Sequence, residues 1–358
     1  MPDKVIISID QVTNAWLTSV LTNCGALING AVATFHVKAG RGNWSTNATI
    51  HVKYVNGSRG ALPQQLFLKM VNVRLEDGFF SPSEVNYYTR DYIGVEGAPL
   101  VRCYNAVFSD EFQRYHVLLD DLSETHIEAE KKTPTLEYGL ALAEGFAVLH
   151  ARWWGVQQFT KAGATMHSAE HIQRFVDISE SGVENIIHHF PSELEPHWPD
   201  AIRTLYIKHR QAIIKRIQDD RGFTLVHGDL GNKNILVPRA GDRPIYIIDR
   251  QPFDWALTTW LGVYDLAYAM VLDWEVETRR RLEMPILRNY HNQLIKHGVT
   301  GYSWEQLYAD YKLCVAMCVY VATEYFRSGV NSPWVSTWLL MLRRALTACD
   351  DLNCNEHW

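Results

Sequence analysis

Cysteine is scarce and scattered in this chain, with six residues among 358 and no Cys-x-x-Cys pair. That spacing supplies neither a zinc knuckle nor a disulfide framework, and a reduced compartment is expected. No run of about 18 uncharged apolar residues occurs, so no membrane span is expected. The start, Met1-Pro2-Asp3-Lys4, lacks the basic-then-apolar signature of a secretory signal, and a cytoplasmic location is expected. Positive charge is not in excess: 34 Lys and Arg against 40 Asp and Glu leave a net charge of −6. A broad nucleic-acid or anionic-membrane surface is thereby disfavoured. Neither a G-x-S-x-G elbow nor an H-E-x-x-H helix is present, which leaves a hydrolase of those types without support. What remains is ordinary globular composition, 47% hydrophobic and 21% charged, in a chain long enough for two lobes with separate cores.

Against that background the informative stretch is Val226-His227-Gly228-Asp229-Leu230-Gly231-Asn232-Lys233-Asn234, which reads H-G-D-x-x-x-x-N and is followed by Asp249. Between Asn234 and Asp249 lie two short apolar runs, residues 235–237 and 245–248, around a Pro/Gly/Asp-rich turn. This pattern predicts a β-hairpin. The ends of an antiparallel hairpin meet within about 5 Å, so Asn234 and Asp249 are expected side by side, with Asp229 just upstream. Two hard-oxygen ligands beside a free carboxylate suit Mg²⁺ and a nucleoside triphosphate. An Asp in a turn is commonly only a turn former; the spacing of Asn234 and Asp249 argues for more.

His227, Gly228, Asp229, Asn234 and Asp249, with the hairpin between them, resemble the kinase-like small-molecule phosphotransferases: aminoglycoside phosphotransferases, choline and ethanolamine kinases and the ecdysteroid-kinase-like group. The resemblance covers most of the chain. It implies an α+β, two-lobed protein-kinase-like fold with a five-stranded antiparallel N-lobe and a mainly helical C-lobe. Residues 1–118 would be the nucleotide-binding lobe, 119–123 the hinge, and 124–358 the helical lobe with the catalytic loop and acceptor site. It further implies that Asp229 engages the acceptor hydroxyl and that Asn234 and Asp249 hold Mg²⁺. A strand Lys paired with a helix Glu would grip the phosphates of ATP or GTP.

The strands for such an N-lobe are readable. A helix over residues 10–23 precedes alternating, β-branched or apolar runs at 31–37, 49–54, 65–71, 101–107 and 114–119. Between the first two, Gly42-Asn43-Trp44-Ser45 stands where the resemblance implies a loop covering the phosphates with backbone N–H groups. It is not G-x-G-x-x-G, and a plain surface hairpin fits it too. Lys69 sits in the otherwise apolar third strand. Residues 83–90 begin a helix after Ser81-Pro82, and Glu84 is the expected partner of Lys69, since a buried ammonium needs a carboxylate. Glu76 is the rival, in a Glu-Asp-Gly turn. Leu119 and Asp121 resemble the lobe connector that meets the adenine edge through its backbone.

Beyond Pro134 the spacing turns helical. His150 reads as a packed core histidine. His188 and His189, adjacent on a helix, point about 100° apart and make a poor metal site. Gly262-x-x-Asp265-Leu266-Ala267 resembles the family's buried Asp, so Asp265 reads as a brace for the loop and not as a catalyst. Lys233 could meet a phosphate or face solvent. Arg250 stands where relatives usually carry an aromatic, and would add a cation near phosphate or seek an acidic partner. Asp265 follows Asp249 by only sixteen positions, which leaves no room for a peptide platform and favours a small-molecule alcohol as acceptor. Asp254, Trp255 and Trp274, shortly after Asp249, are the candidate substrate contacts in a lobe rich in tryptophan and acid. Aromatic faces with carboxylates attract amines and guanidinium groups, although most such tryptophans simply pack helices.

The functional expectation is an ATP- or GTP-dependent, Mg²⁺-using kinase for a small hydroxylated compound, amine- or guanidine-bearing or aminoglycoside-like. The alternative is a catalytically weak, kinase-shaped binder of a nucleotide or metabolite.

Overall fold

The computed structural model describes residues 4–42, 44–73, 75 and 78–357. The chain packs into two compact units, the first comprising Met1–Gly94, Leu100–Ile127 and Val237–Asp254, the second Val95–Pro99, Glu128–Leu236 and Trp255–Trp358.

In the first unit, α1 (Asn14–Asn23) begins where Thr13, in extended conformation, accepts a hydrogen bond from the Trp16 amide at 3.1 Å. This cap stops the helix short of residue 10, where a helix was expected; Ile9–Gln11 form a separate 3₁₀ turn. The short strands β1 (Leu27–Asn29) and β4 (Arg59–Gly60) pair with each other, flanking β2 (Val32–Arg41) and β3 (Thr46–Tyr54) in sequence. With β5 (Gln65–Val71), β6 (Cys103–Ser109) and β7 (Arg114–Asp120), the strands β2 and β3 form a five-stranded antiparallel sheet of order β2-β3-β5-β7-β6. This is the expected architecture.

The period of two along β5 decides which side chains enter the core. Leu66, Leu68 and Met70 are buried with Leu17, Val20 and Leu21 of α1 in one apolar cluster, and Lys69 therefore points from the opposite face. Between β5 and β6 lies α2 (Ser83–Asn86), prolonged by a π-helical turn over Tyr87–Asp91. A second sheet has the order β11-β10-β8, from β8 (His126–Glu128), β10 (Ile235–Pro238) and β11 (Tyr246–Ile247). Strands β10 and β11 are the two arms of the hairpin read from the sequence, with the second arm shortened to two residues.

The second unit is helical: α3 (Leu136–Arg152), α4 (Val156–Lys161), α5 (Ala169–His189), α6 (Trp198–Thr204), α7 (Arg210–Arg216), α8 (Val263–Asp273), α9 (Val276–Lys296), α10 (Trp304–Glu324) and α11 (Val335–Asp351). Strands β9 (Phe223–Leu225) and β12 (Thr259–Leu261) pair antiparallel within it. Helix α10 packs against α5, α8 and α11, and its residues Leu313–Tyr320 are all buried. Gly182 of α5 lets the two backbones close: a Cβ there would lie 2.2 Å from the Thr323 carbonyl oxygen of α10. Cys314 and Cys318 belong to this core as free thiols, their pKa values pushed up by burial. Among the described residues no helix is long and apolar enough to cross a membrane.

Candidate active site

The H-G-D loop lies in the second unit, directly after β9, where the Val226 amide still donates to the Thr258 carbonyl at 3.0 Å. The chain then turns through Gly228, whose φ of +81° favours glycine. A loop carrying polar backbone needs partners for its N–H groups. Helix α8 supplies them from both ends. Near its start, Asp265 accepts from the His227 amide at 2.7 Å and the Gly228 amide at 2.9 Å, and from His150 Nε2 at 3.1 Å. At its end, Asp273 accepts from the Asn232 amide at 2.6 Å.

The two braces differ electrostatically. Burial would raise the Asp265 pKa, yet hydrogen bonding and charge from His150 and His227, with the Gly228 amide, hold it below the usual carboxylate value. Asp273 is pushed up to about 6 by burial and by the charges of Asp229 and Glu130, against the lowering effect of the Asn232 amide and Arg344. His150 is fixed on its other side by Tyr290 Oη at 2.8 Å. It is the packed core histidine that its helical spacing predicts. Gly262 keeps this cluster tight, since a Cβ there would meet Tyr290 Oη at 2.6 Å and His150 Nδ1 at 3.1 Å.

Within the loop, Tyr268 Oη donates to Asp229 Oδ1 at 2.9 Å. Burial and the Asp229 charge push the Tyr268 pKa well up, so this phenol stays neutral and remains a donor. Asn234 closes a 3₁₀ turn, Asn232–Asn234, and its Nδ2 donates to the Asp229 carbonyl at 2.7 Å. With the nitrogen so committed, the Asn234 side chain offers its carbonyl oxygen, a hard donor suited to Mg²⁺. Lys233 is solvent-exposed, 3.8 Å from Glu130 and 5.1 Å from the centre of the Trp334 ring.

The first unit carries the other polar cluster. Lys69 Nζ donates to Glu84 Oε2 at 2.7 Å and also pairs with Asp249 Oδ1. Tyr115 Oη donates to the same Glu84 oxygen, and the ammonium lies 5.8 Å from the Tyr115 ring centre. Glu84 is thus a buried carboxylate with two donors, as burial of charge requires. Asp249 differs, with a side chain 43% exposed. Its φ of +67° lies in the left-handed region that non-glycine residues seldom occupy. Glu76, the rival partner for Lys69, lies outside the described residues.

The remaining expected contacts divide. Between β2 and β3 the Gly42 amide donates to the Ser45 carbonyl at 2.9 Å. Asn43 lies outside the described residues. Trp44 is exposed and meets the Phe253 ring edge-on at 6.0 Å. Leu119 is buried in β7. The Asp121 carboxylate is already engaged by Thr49 Oγ1 at 2.7 Å and the Ser123 amide at 2.9 Å, which lower its pKa against the opposing effect of burial.

Two of the substrate candidates have other engagements. Asp254 belongs to the first unit, where its carboxylate and amide bond the Phe79 backbone at 3.2 and 3.1 Å, a role in shaping the chain. Trp274 is 1% exposed and packs against Tyr138 and Gly139 in the helical core. Trp255 is half-buried with its ring 6.5 Å from Phe175. Side chains that share the electrostatic surroundings of Asp229 include Tyr264, Tyr268, Asp273, Glu324 and Tyr325. Tyr268 and Tyr325 escaped the sequence reading. A tyrosine three residues after Asp265 on one helical face was the available signal for the first.

Among the described residues no three His, Cys, Asp or Glu side chains gather to cage a metal. Mg²⁺ in phosphate chemistry needs no such cage, since one or two protein oxygens with phosphates and water complete its shell. The side-chain carbonyl of Asn234 and the exposed carboxylate of Asp249 are donors of that kind.

The fold, an antiparallel five-stranded sheet followed by a helical region with an H-G-D loop, is that of the kinase-like small-molecule phosphotransferases. The chain belongs to the ecdysteroid kinase-like family, whose model matches residues 87–299, more than half of its length. No curated protein matches the chain. It is similar in structure to a choline kinase from Cryptosporidium parvum, with a TM-score of 0.57 at 11% identity over 90% of this chain and 91% of that one. An ethanolamine kinase from Plasmodium vivax gives 0.54 at 11% identity, covering 87% and 81%. A spectinomycin phosphotransferase, solved with ADP and spectinomycin, gives 0.53 at 13% identity, covering 94% and 99%. At these identities the likeness is one of fold.

Proposed function

We propose that the chain is a small-molecule kinase that moves the γ-phosphate of ATP or GTP to a hydroxyl of its acceptor. The observation that carries this reading is the Lys69 ammonium shared between a buried carboxylate, Glu84, and a more exposed one, Asp249. An ammonium held in this way is placed to neutralise phosphate charge, and phosphoryl transfer needs positioning and neutralisation above all.

Asn234 and Asp249 are the residues that would hold Mg²⁺, which would supply further neutralisation of the phosphates. Asp229 orients the acceptor hydroxyl and takes its proton as the new O–P bond forms and the bond from the γ-phosphorus to the nucleoside diphosphate breaks. The Tyr268 phenol keeps that carboxylate in one orientation. The amides of residues 42–45 are assigned to the phosphates, and the backbone at Leu119 and Asp121 to the base. Residues 1–118 accordingly serve as the nucleotide lobe, 119–123 as the hinge and 124–358 as the acceptor lobe.

For the acceptor, the reading is an amine- or guanidine-bearing alcohol or an aminoglycoside-like compound. Supporting it are the carboxylates Asp229, Asp273 and Glu324: besides burial, the Asp229 charge raises the pKa values of Asp273 and Glu324, and all three raise that of Tyr325. The Tyr325–Trp338 stack, with ring centres 5.5 Å apart, adds aromatic faces of the kind that attract cations.

The test is a thermal shift with Mg·ATP and Mg·GTP on the wild type and on Asp249→Ala, followed by turnover of Asp229→Ala. Stabilisation lost in Asp249→Ala, with turnover lost but nucleotide binding kept in Asp229→Ala, is expected. Stabilisation by nucleotide without any turnover would replace the kinase with a nucleotide-binding protein.

A further inference from the structure

We propose that Arg250 is a positioning residue for Asp249, acting through its buried ion pair with Asp91 to set that carboxylate against Lys69 and Glu84. The proposal rests on the reading of Asp249 as a Mg²⁺ ligand.

Arg250 departs from the aromatic residue that the resemblance implies after the metal-binding Asp, and its surroundings explain what replaced that residue. Its side chain is 3% exposed, with Nη1 2.7 Å from Asp91 Oδ2, and the Asp91 side chain is fully buried. The other Asp91 oxygen accepts from Arg90 Nε at 2.7 Å. The guanidinium also stands 5.8 Å from the Tyr87 ring centre, and Tyr87 Oη donates to the Ile247 carbonyl at 3.4 Å. Buried charges this far from water are kept only where each has its partner.

Asp91 ends the π-helical turn that prolongs α2, the helix of Glu84. The pair therefore joins the segment of one Lys69 partner to the segment of the other. Two backbone links extend the seam: the Ser81 amide donates to the Pro252 carbonyl at 2.7 Å, and Phe80 and Phe253 form a β-bridge. Lys69, on β5, spans the two segments through Glu84 and Asp249.

A rigid neighbour matters here because of the Asp249 backbone. Its φ of +67° is a conformation that persists only where the surroundings over-determine it. Arg250 is the next residue, so its anchor fixes the chain immediately after the strained position. Released from Asp91, the backbone can relax toward ordinary φ and carry the carboxylate away. Mg²⁺ tolerates such displacement poorly, since it demands near-octahedral oxygens at roughly 2.0–2.1 Å. Changes to groups that orient a metal ligand typically cost about 10- to 100-fold in metal affinity.

The experiment is a double-mutant cycle on the full chain with Arg250→Met, Asp91→Asn and the double variant. Mn²⁺ uptake in the presence of ATP is read by electron paramagnetic resonance as the protein-dependent change in signal beyond that caused by the same ATP alone, well below each variant's melting temperature. Each single variant is expected to weaken Mn²⁺ binding by about 10- to 100-fold, and the double variant by no more than the larger single loss. Arg250→Lys, which keeps the charge, is expected to fall between wild type and Arg250→Met, and it replaces the Met variant if that one does not fold. Single variants within about twofold of wild type, or losses that multiply in the double variant, would overturn the proposal. A wild type that takes up no Mn²⁺ with ATP would instead overturn the reading of Asp249 as a ligand, a result distinguishable from unchanged variants.

Discussion

Tyr268 Oη donates to Asp229 Oδ1 at 2.9 Å, and Tyr268 lies three residues after Asp265, the carboxylate that holds the His227 and Gly228 amides. Residues three apart share a helix face, so α8 braces the H-G-D loop and aims its carboxylate from the same face. A neutral donor on a carboxylate is worth about 1.5–3 kcal/mol. Tyr268→Phe is therefore expected to lower kcat roughly tenfold or more and to lower the melting temperature by a few degrees, leaving the nucleotide KM close to wild type. Steady-state kinetics on both substrates check this; an unchanged kcat would deny the phenol its part in orienting Asp229.

Asp273 gives the account a pH signature. Its pKa in the folded chain is pushed up to about 6, above the ordinary value of 3.8, chiefly by burial. The folded state thus binds this proton more tightly than the unfolded state, and the associated stabilisation is complete below the unfolded pKa and lost as pH rises through the folded one. Wild type should gain melting temperature relative to Asp273→Asn as pH falls from 7 toward 4, through the interval between those two values. A difference between the two proteins that does not change with pH would refute the assignment. The same protonation should appear as an inflection near 6 in the pH profile of kcat, absent in the variant.

Removing the Glu84 carboxylate leaves Lys69 with Asp249 alone and Tyr115 Oη without its acceptor. Breaking a buried ion pair by deleting one member costs about 3–5 kcal/mol. Glu84→Ala is expected to lose stability on that scale, and the rise in melting temperature produced by Mg·ATP should shrink, because the freed ammonium no longer has a fixed place. Chemical denaturation with and without nucleotide separates the two effects. A variant as stable as wild type would mean that Lys69 and Tyr115 find other partners at no cost.

Much of this was legible in the sequence because the constraints are local. The H-G-D-x-x-x-x-N spacing is contiguous, and a single Lys in an apolar strand with period-two burial calls for a nearby carboxylate. The five strands were visible for the same reason. Tyr268 was not, since α8 is apolar almost throughout and a tyrosine in it reads as core. Arg250 was legible only as a departure: its partner Asp91 closes a π-helical turn, a feature that residue propensities do not mark. Nor was the packing of Trp274, 1% exposed against Tyr138, legible, because a tryptophan after a helix reads equally as core or as surface. The bond from Asp254 to the Phe79 backbone was not legible, because the two residues lie far apart in sequence.

Helix packing in the second unit offers a test independent of chemistry. A Cβ at Gly182 would press on the Thr323 backbone oxygen at 2.2 Å, whereas one at Gly139 would press on the flexible end of Ile286, also at 2.2 Å. Overpacking costs typically about 1–3 kcal/mol, and more where nothing can yield. Gly182→Ala is expected at or above the top of that range and Gly139→Ala toward the bottom. Equilibrium unfolding that ranks them the other way would show that α5 and α10 are not seated backbone to backbone as found here.

The most direct measurement of the central claim is phosphoryl transfer itself. Wild type and Asp229→Asn should be incubated with Mg·ATP and a panel of hydroxylated amines, guanidine alcohols, aminoglycosides and neutral sugars, with products read by mass spectrometry. The expected result is one phosphoryl group added to a hydroxylated cation by the wild type, no product with Asp229→Asn, and nucleotide binding retained by both. Product formation that survives Asp229→Asn would contradict the role given to that carboxylate, and phosphorylation of the neutral sugars alone would contradict the cationic acceptor.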